Sequence, residues 1–366
     1  MGELLLEELD TPSLLVDLDR LEQNLQHMQE KANAAGVKLR PHTKTHKMAD
    51  IARLQLEYGA AGITVAKLSE AEAMAAEGID NIFIATQIVG KKKLERLRTL
   101  AGKATIRVAV DSIEQVEQIA SFFGDQVPVS LMIEVDTGQH RCGLESPEAV
   151  KLADFIVGRF TQVSLAGLFT HEGHAYHAVD REELKRISLR AQRDLIEASK
   201  RVEDKWGIQC EKSIGCTLSQ LGGEILPDIT EIRPGTYVFY DAAHAYFLGH
   251  SNFCAATVLA TVTSKSGVER IVADAGAKSF TIDQRSSGIV KTSGFGIVKG
   301  HPDLLIRRLS DEHAVIVPGT SLVIGERIEV IPNHVCPTIN LYDQAYAIRN
   351  GKVEKMFKVH ARGCNQ

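Results

Sequence analysis

The feature that most constrains the fold is an alternation. Over the first two thirds of the chain, short apolar runs rich in Val and Ile take turns with segments of helical period, the pattern of repeated βα units around a parallel sheet. The runs are Val37–Leu39, Gly62–Ala66, Asn81–Ala85, Thr105–Val110, Val127–Val135, Val163–Phe169, Cys210–Gly215 and Ile229–Arg233. Counted from Leu39 they make eight strands by about residue 235, the number a closed βα barrel requires. Between them, Leu21, Leu25, Met28, Ala32 and Ala35 fall on one helical face that stops at Gly36. Ser69–Glu77 is alanine-rich, and Leu184, Ile187, Ala191, Leu195 and Ala198 line another apolar face. Ser146-Pro147 reads as a helix cap followed by a first-turn proline.

From about Phe253 the pattern changes. Ala256–Thr263, Arg270–Asp274, Ala314–Val317, Glu326–Ile331 and Gln344–Ile348 alternate or run apolar, with Gly, Pro, Asn and Asp between them and no long helical period. This predicts a mostly antiparallel second domain, so the expected division is a barrel over 12–245 and a β-domain over 246–366. The early run Ser13–Asp17, within residues 1–17, is expected to pair with that later sheet.

Composition limits the function classes. With 366 residues, 44% hydrophobic and 24% charged, the chain has the make-up of a globular protein with room for two cores. A net charge of −5 and no basic stripe speak against nucleic acid as a partner. No apolar run is long enough to span a bilayer, and acids interrupt the amino-terminal apolar residues, which is unlike a secretory signal. Six cysteines, at 142, 210, 216, 254, 336 and 364, lack CxxC spacing and fit reduced thiols in the cytoplasm.

Against that background Lys44 stands out. It lies in Arg40-Pro-His-Thr-Lys-Thr-His-Lys47, between the first barrel strand and the helix-like stretch that begins at Met48. Cationic neighbours at 40, 42, 46 and 47 favour the free amine, the form that makes a Schiff base with an aldehyde cofactor. Taken alone, so basic an octapeptide is more often a surface loop. A second signal is His334-Val335-Cys336. On an extended strand, residues two apart project to one side, so imidazole and thiolate can share an ion. Two donors are too few for a closed structural zinc site and suit an open one, whereas an isolated H-x-C is more often a buried cysteine beside a loop histidine.

The order of motifs decides between these readings. Pro-His-Thr-Lys44-Thr-His, Asp136-Thr-Gly-Gln-His-Arg141-Cys-Gly, Phe169-Thr-His171, Ser213-Ile-Gly-Cys-Thr217, Arg233-Pro-Gly-Thr-Tyr237 and His334-Val-Cys336-Pro-Thr resemble the D-threonine aldolase and D-serine dehydratase group. That group belongs to the alanine-racemase-like (fold type III) pyridoxal phosphate enzymes, and the resemblance spans nearly the whole chain. It implies a (β/α)8 TIM barrel followed by an antiparallel β-domain, usually as a homodimer, acting on a small D-amino acid.

The resemblance also implies roles. Lys44 would hold pyridoxal 5'-phosphate and then act as a base; Arg141 would face the cofactor's phenolic oxygen. Ser213, Gly215, Thr217, Gly235, Thr236 and Tyr237 would surround the cofactor near the late strands, where small residues admit backbone amides to a phosphate. Without the resemblance these would be ordinary turn residues, and Arg141 a surface one. Arg233 matches the arginine beside the pyridine nitrogen in racemases, or else pairs with Glu231 on the same strand face. His171 would border the ring, with His174, Tyr176 and His177 in the next loop. His334 and Cys336 would hold a divalent metal: zinc by the softness of the thiolate, with manganese or magnesium as alternatives. Relatives of the aldolase type look like they carry aspartate at the Cys336 position, and dehydratases cysteine, whereas the general texture leans toward bacterial aldolase-like members. The expected activity is retro-aldol cleavage of a D-β-hydroxy amino acid to glycine and an aldehyde. The alternatives are dehydration to a 2-oxo acid and ammonia, an amino-acid racemase, and a non-catalytic cofactor carrier, which would lack the second domain and the metal pair.

Overall fold

Eight short strands pair in parallel in the order Lys38–Leu39, Glu231–Ile232, Glu211–Ile214, Val163–Thr170, Val129–Glu134, Thr105–Val110, Asn81–Gln87 and Ile63–Val65. A parallel bridge between His42 and Thr64, with Thr64 N–H donating to the Pro41 carbonyl at 2.8 Å, joins the two ends of the row and closes the ring. The structure is a computed structural model that describes all residues except 1–3, 125–128, 162, 267–268 and 320–321. Residues 127 and 128, with which the fifth expected strand begins, lie outside the described residues.

Strands covered on both faces need continuous apolar sequence. Ile82, Phe83 and Ile84, and Leu131, Met132 and Ile133, are accordingly all buried. Phe83, Ala109, Met132 and Phe169 pack as one cluster, with the two phenyl rings edge to face at 5.0 Å. Gly167 is dictated by close approach, since a Cβ there would lie 2.1 Å from the Glu211 carbonyl oxygen of the neighbouring strand. The helix expected to be capped by Ser146 runs Ser146–Arg159 with Glu145 as its extended cap residue. Ser146 is thus the first helical residue, and Pro147 keeps its first-turn place.

The second sheet has ten strands, with Ser13–Asp17 between Gln344–Arg349, to which it is parallel, and Ala256–Ser266, to which it is antiparallel. Ala256–Ser266 also pairs with Arg327–Ile331, so six of the strands close on themselves as a small barrel. The neighbouring pairs other than Ser13–Asp17 with Gln344–Arg349 are antiparallel.

The compact units do not divide at residue 245. The parallel unit comprises Met28–Lys44, Ile51–Gly235 and Gly363–Gln366; the antiparallel unit takes the residues up to His27, Thr45–Asp50 and Thr236–Arg362. Hydrogen bonding is the reason. Ala255 N–H donates to the Phe239 carbonyl at 2.7 Å and Ala242 N–H to the Pro332 carbonyl at 3.0 Å, which ties residues 236–245 to the antiparallel sheet. Ala361 N–H donates to the Lys47 carbonyl at 3.0 Å and Ala49 N–H to His360 Nδ1 at 3.2 Å, which does the same for 45–50. No helix among the described residues is long and apolar enough to cross a membrane.

Candidate active site

In the parallel unit the reactive side chains gather just past the carboxyl ends of the strands, where barrels of this kind do their chemistry. Lys44 sits half-buried in the tight turn Thr43–Thr45, a few residues beyond Lys38–Leu39. The turn is pinned locally. Thr43 Oγ1 donates to the Thr64 carbonyl at 3.1 Å, Thr64 Oγ1 to the Arg40 carbonyl at 3.0 Å, and Lys44 N–H to His42 Nδ1 at 3.4 Å.

Two imidazoles in this region are held neutral. His42 is pushed well below its ordinary value by burial and by the charges of Lys44, Arg233 and His171. Burial, then Lys44 and Arg141, bring His171 down to about 3. His171 Nδ1 lies 2.5 Å from the Gly215 carbonyl oxygen, which can only accept, so the ring proton sits on Nδ1 and Nε2 presents a lone pair. The cations that reach these imidazoles are Lys44, Arg141 and Arg233. Arg40, expected to crowd Lys44, is buried instead, with Nε 2.7 Å from Glu231 Oε2.

That ion pair makes Arg40 the direct partner of Glu231, and Arg233 acts on the same carboxyl through its charge and through Ser213. Arg233 lies past the end of Glu231–Ile232, and its guanidinium is over the rings of Phe83 and Phe169, at 5.6 and 5.0 Å. It donates to Ser213 Oγ at 2.5 Å and to the Thr170 carbonyl at 2.8 Å. Ser213, which stands opposite Glu231 in the sheet register, donates to Glu231 Oε1 at 2.6 Å and so relays the contact. A Cβ on Gly215 would meet Arg233 Nη2 at 3.1 Å, and Thr217 Oγ1 accepts from Gly235 N–H at 3.2 Å. Gly215 N–H points to Glu172 Oε2 at 3.4 Å. His174 is half-buried and His177 exposed in the turn Gly173–His177.

Arg141 is exposed, its Nη2 3.9 Å from Glu134 Oε1. Glu134 is buried, raised by that burial, and accepts from Gln87 Nε2 at 2.8 Å. Gln87 also reaches Asp111 Oδ2 at 3.0 Å, and Asp111, Glu134 and Cys142 bring their donor atoms within 4.8 Å of one another. The sequence reading missed this cluster. Its signal is the polar residue that ends or follows an apolar barrel strand: Gln87, Asp111 and Glu134 all hold that position.

In the antiparallel unit, Thr236 and Tyr237 form the turn Thr236–Val238, with Tyr237 fully buried and Thr236 Oγ1 3.2 Å from His244 Nε2. His334 and Cys336 are not on a strand. His334 is the extended residue that precedes the short helix Val335–Ile339, and Cys336 is in its first turn. Pro337 fits that helical turn and would break a ladder, which is why the extended reading fails. The two side chains still meet. Burial alone would lower His334, but its hydrogen bond to Cys336 and the charges of Cys336 and Asp241, with Asp283, raise it to about 9. Asp283 Oδ2 is 2.7 Å from His334 Nδ1, and Thr45 Oγ1 is 3.3 Å from Cys336 Sγ. Asp283 lies in an irregular segment with no periodicity to mark it.

Comparison with known proteins agrees with these features. Residues 16–243 match the alanine racemase N-terminal domain and residues 255–348 a putative serine dehydratase domain. The chain is 35% identical to D-threonine aldolase of Arthrobacter sp. over 98% of its own length and 94% of the relative's. It superposes on the crystal structure of D-threonine aldolase from Filomicrobium marinum with a TM-score of 0.88 at 32% identity, covering 100% of this chain and 99% of the other. D-threo-3-hydroxyaspartate dehydratase of Delftia sp. is 29% identical over 96% of this chain and 98% of its own. A cysteine-to-alanine mutant of a D-threo-3-hydroxyaspartate dehydratase, in the metal-free form, superposes with a TM-score of 0.87 at 27% identity, covering 97% and 98% of the two chains. A histidine-to-alanine mutant, changed two positions earlier, gives 0.88 at 28% identity, covering 97% and 96%.

Proposed function

The chain belongs to the D-threonine aldolase and D-serine dehydratase group of the alanine-racemase-like pyridoxal phosphate enzymes, and from that premise we propose that it cleaves D-β-hydroxy amino acids by retro-aldol reaction to glycine and an aldehyde. The observation that carries the choice of cleavage is the 35% identity to D-threonine aldolase over 98% of the chain; the imidazole–thiol pair His334 and Cys336, with Asp283 behind it, speaks for a lyase over a racemase.

The residues present fit the groups this reading requires. Lys44 supplies an amine for an aldehyde, Arg141 and Arg233 add positive charge for anionic oxygens, and His42 and His171, held neutral, add none that would compete for them. His334 and Cys336 offer one nitrogen and one sulfur, and Nδ1 of His334 is already committed to a carboxylate, as in metal-bound histidines. When bound, pyridoxal phosphate supplies a sink for charge at the substrate's Cα, and a divalent ion supplies a Lewis acid for its hydroxyl oxygen.

The chain's own residues do the rest. Lys44 Nζ would hold the cofactor and is the amine placed to take or return a proton. His171, fixed through Nδ1 on the Gly215 carbonyl, offers Nε2 only as an acceptor. Gly215, Thr217 and Gly235 would offer backbone and hydroxyl groups to a phosphate, and the family resemblance gives Thr236 and Tyr237 a cofactor role as well. Arg141 would meet the phenolic oxygen, with Glu134 Oε1 3.9 Å from its Nη2 as the nearby carboxylate. Arg233 is held by Ser213 and the Thr170 carbonyl, so the barrel and not the cofactor ring sets its position. Zinc as the ion, a homodimer and a cytoplasmic setting complete the reading.

Dehydration is the second reading, favoured by one position. The second metal donor is the thiol Cys336, and the similar dehydratase has solved mutants at a histidine and a cysteine with the same spacing. Product analysis decides between the two. The protein loaded with pyridoxal phosphate and zinc is incubated with D-threonine alone. Glycine and acetaldehyde support cleavage, 2-oxobutanoate and ammonia support dehydration, and neither pair from any D-β-hydroxy amino acid refutes both.

A further inference from the structure

We propose that Asp241 and His244 are a positioning pair which ties Thr236 to the His334–Cys336 segment, so that a metal ion and the cofactor's phosphate bind cooperatively; this rests on the assignment of those groups made above. Both side chains are 3% exposed or less, and neither is among the groups the reaction uses. Asp241 Oδ1 accepts from the His244 backbone N–H at 3.2 Å, which caps the helix Ala242–Leu248, and lies 2.6 Å from His244 Nδ1.

A cap needs only that one oxygen. Asp241 Oδ2 turns the other way and accepts from Val335 N–H, between His334 and Cys336, at 3.2 Å. Ala242 N–H donates to the Pro332 carbonyl at 3.0 Å and doubles the tie to the same segment. On the other side, His244 Nε2 is 3.2 Å from Thr236 Oγ1. A continuous chain therefore runs Thr236, His244, Asp241, Val335.

Proton counting gives the chain its direction. One proton lies between His244 Nε2 and Thr236 Oγ1. If the Thr236 hydroxyl donates to a phosphate oxygen, Nε2 must be the donor in that contact. Both ring nitrogens then donate, and Asp241 is the carboxylate that balances them. The same carboxylate fixes the backbone between the two metal donors. Occupying either end stiffens the element the other end needs, and coupling of this kind is reciprocal.

The test titrates the full chain, with and without zinc, with pyridoxal 5'-phosphate and with phosphate-free pyridoxal, read by visible absorbance. Zinc affinity is measured separately by competition with a chromophoric chelator. In the unsubstituted protein, zinc is expected to tighten pyridoxal phosphate by about tenfold, the scale of one charge-assisted hydrogen bond, and pyridoxal hardly at all. His244→Gln should erase that zinc dependence, and Asp241→Asn should weaken zinc as well. Thr236→Val, at a half-buried position, breaks the same chain from its other end should the buried variants fail to fold. Combined with His244→Gln it should cause no further loss of zinc dependence. Zinc and pyridoxal phosphate binding without mutual effect, or Thr236→Val with coupling intact, overturns the proposal while leaving the lyase reading standing. Binding of neither overturns both.

Discussion

Replacing Glu231 with glutamine tests the interior of the barrel with no change of shape. Glu231 and Arg40 are each 1% exposed, and Glu231 accepts from Arg40 Nε at 2.7 Å and from Ser213 Oγ at 2.6 Å. A glutamine oxygen can satisfy one of these donors, but its NH2 then faces the other, so at least one charge-assisted bond is lost, roughly 1.5–3 kcal/mol. Arg40 also loses its counter-charge in a buried site, which brings the expected cost of Glu231→Gln to roughly 3–5 kcal/mol. Converting the pair together, Arg40→Met with Glu231→Leu, should cost less than the single change, because no charge is stranded. Urea unfolding followed by tryptophan fluorescence is the assay, since the chain's one tryptophan, Trp206, ends the helix Arg181–Trp206 of the parallel unit. The charges of Arg40 and Arg233 and the Ser213 hydrogen bond hold the Glu231 carboxyl below its ordinary value despite burial. Its contribution is therefore present above the ordinary carboxylate range and is lost as pH falls through the folded value. A loss under about 1 kcal/mol on Glu231→Gln, or a double variant worse than the single one, would refute this reasoning.

Three further outcomes are expected. His171 has a folded value of about 3 against an ordinary 6.5, so the unfolded chain binds the extra proton in between and acidification across that window destabilises the native state; His171→Gln should flatten urea stability against pH there, and an unchanged slope would contradict the assignment. Asp283→Asn should lower zinc affinity about 10–100-fold in chelator competition, because the imidazole loses the carboxylate that orients it; an unaltered affinity would remove His334 from the metal site. Lys44→Ala should abolish both the visible band of lysine-bound pyridoxal phosphate and turnover, and a surviving band would point to another lysine.

What the sequence made legible follows from what each signal physically encodes. Barrel strands are buried on both faces, so runs such as Ile82–Ile84 and Leu131–Ile133 announce themselves, and all eight were found within a few residues of their observed ends. The lysine turn is legible only through the order of motifs that follows it, since so basic an octapeptide taken alone is more often a surface loop. Contacts between distant segments were not legible. Asp283 reaches His334 from an irregular stretch about fifty residues earlier, and nothing local distinguishes it from a solvated aspartate. The period-two argument placed His334 and Cys336 on one side for the wrong reason, since a helix start, with its proline, brings them together instead. Strand spacing puts Arg233 on the face of Glu231, and the two meet through Ser213 of the neighbouring strand while the guanidinium lies over Phe83 and Phe169, contacts that spacing along one strand does not encode.

The most direct test of the central claim, metal-assisted chemistry on a pyridoxal phosphate scaffold, is a paired measurement on Cys336→Ala. Bound zinc and cofactor are quantified on the same sample on which turnover of D-threonine and D-serine is followed. At saturating pyridoxal phosphate the variant is expected to keep the cofactor absorbance of the unsubstituted protein while losing the metal and most of the turnover. Full turnover by a metal-free variant would contradict that claim.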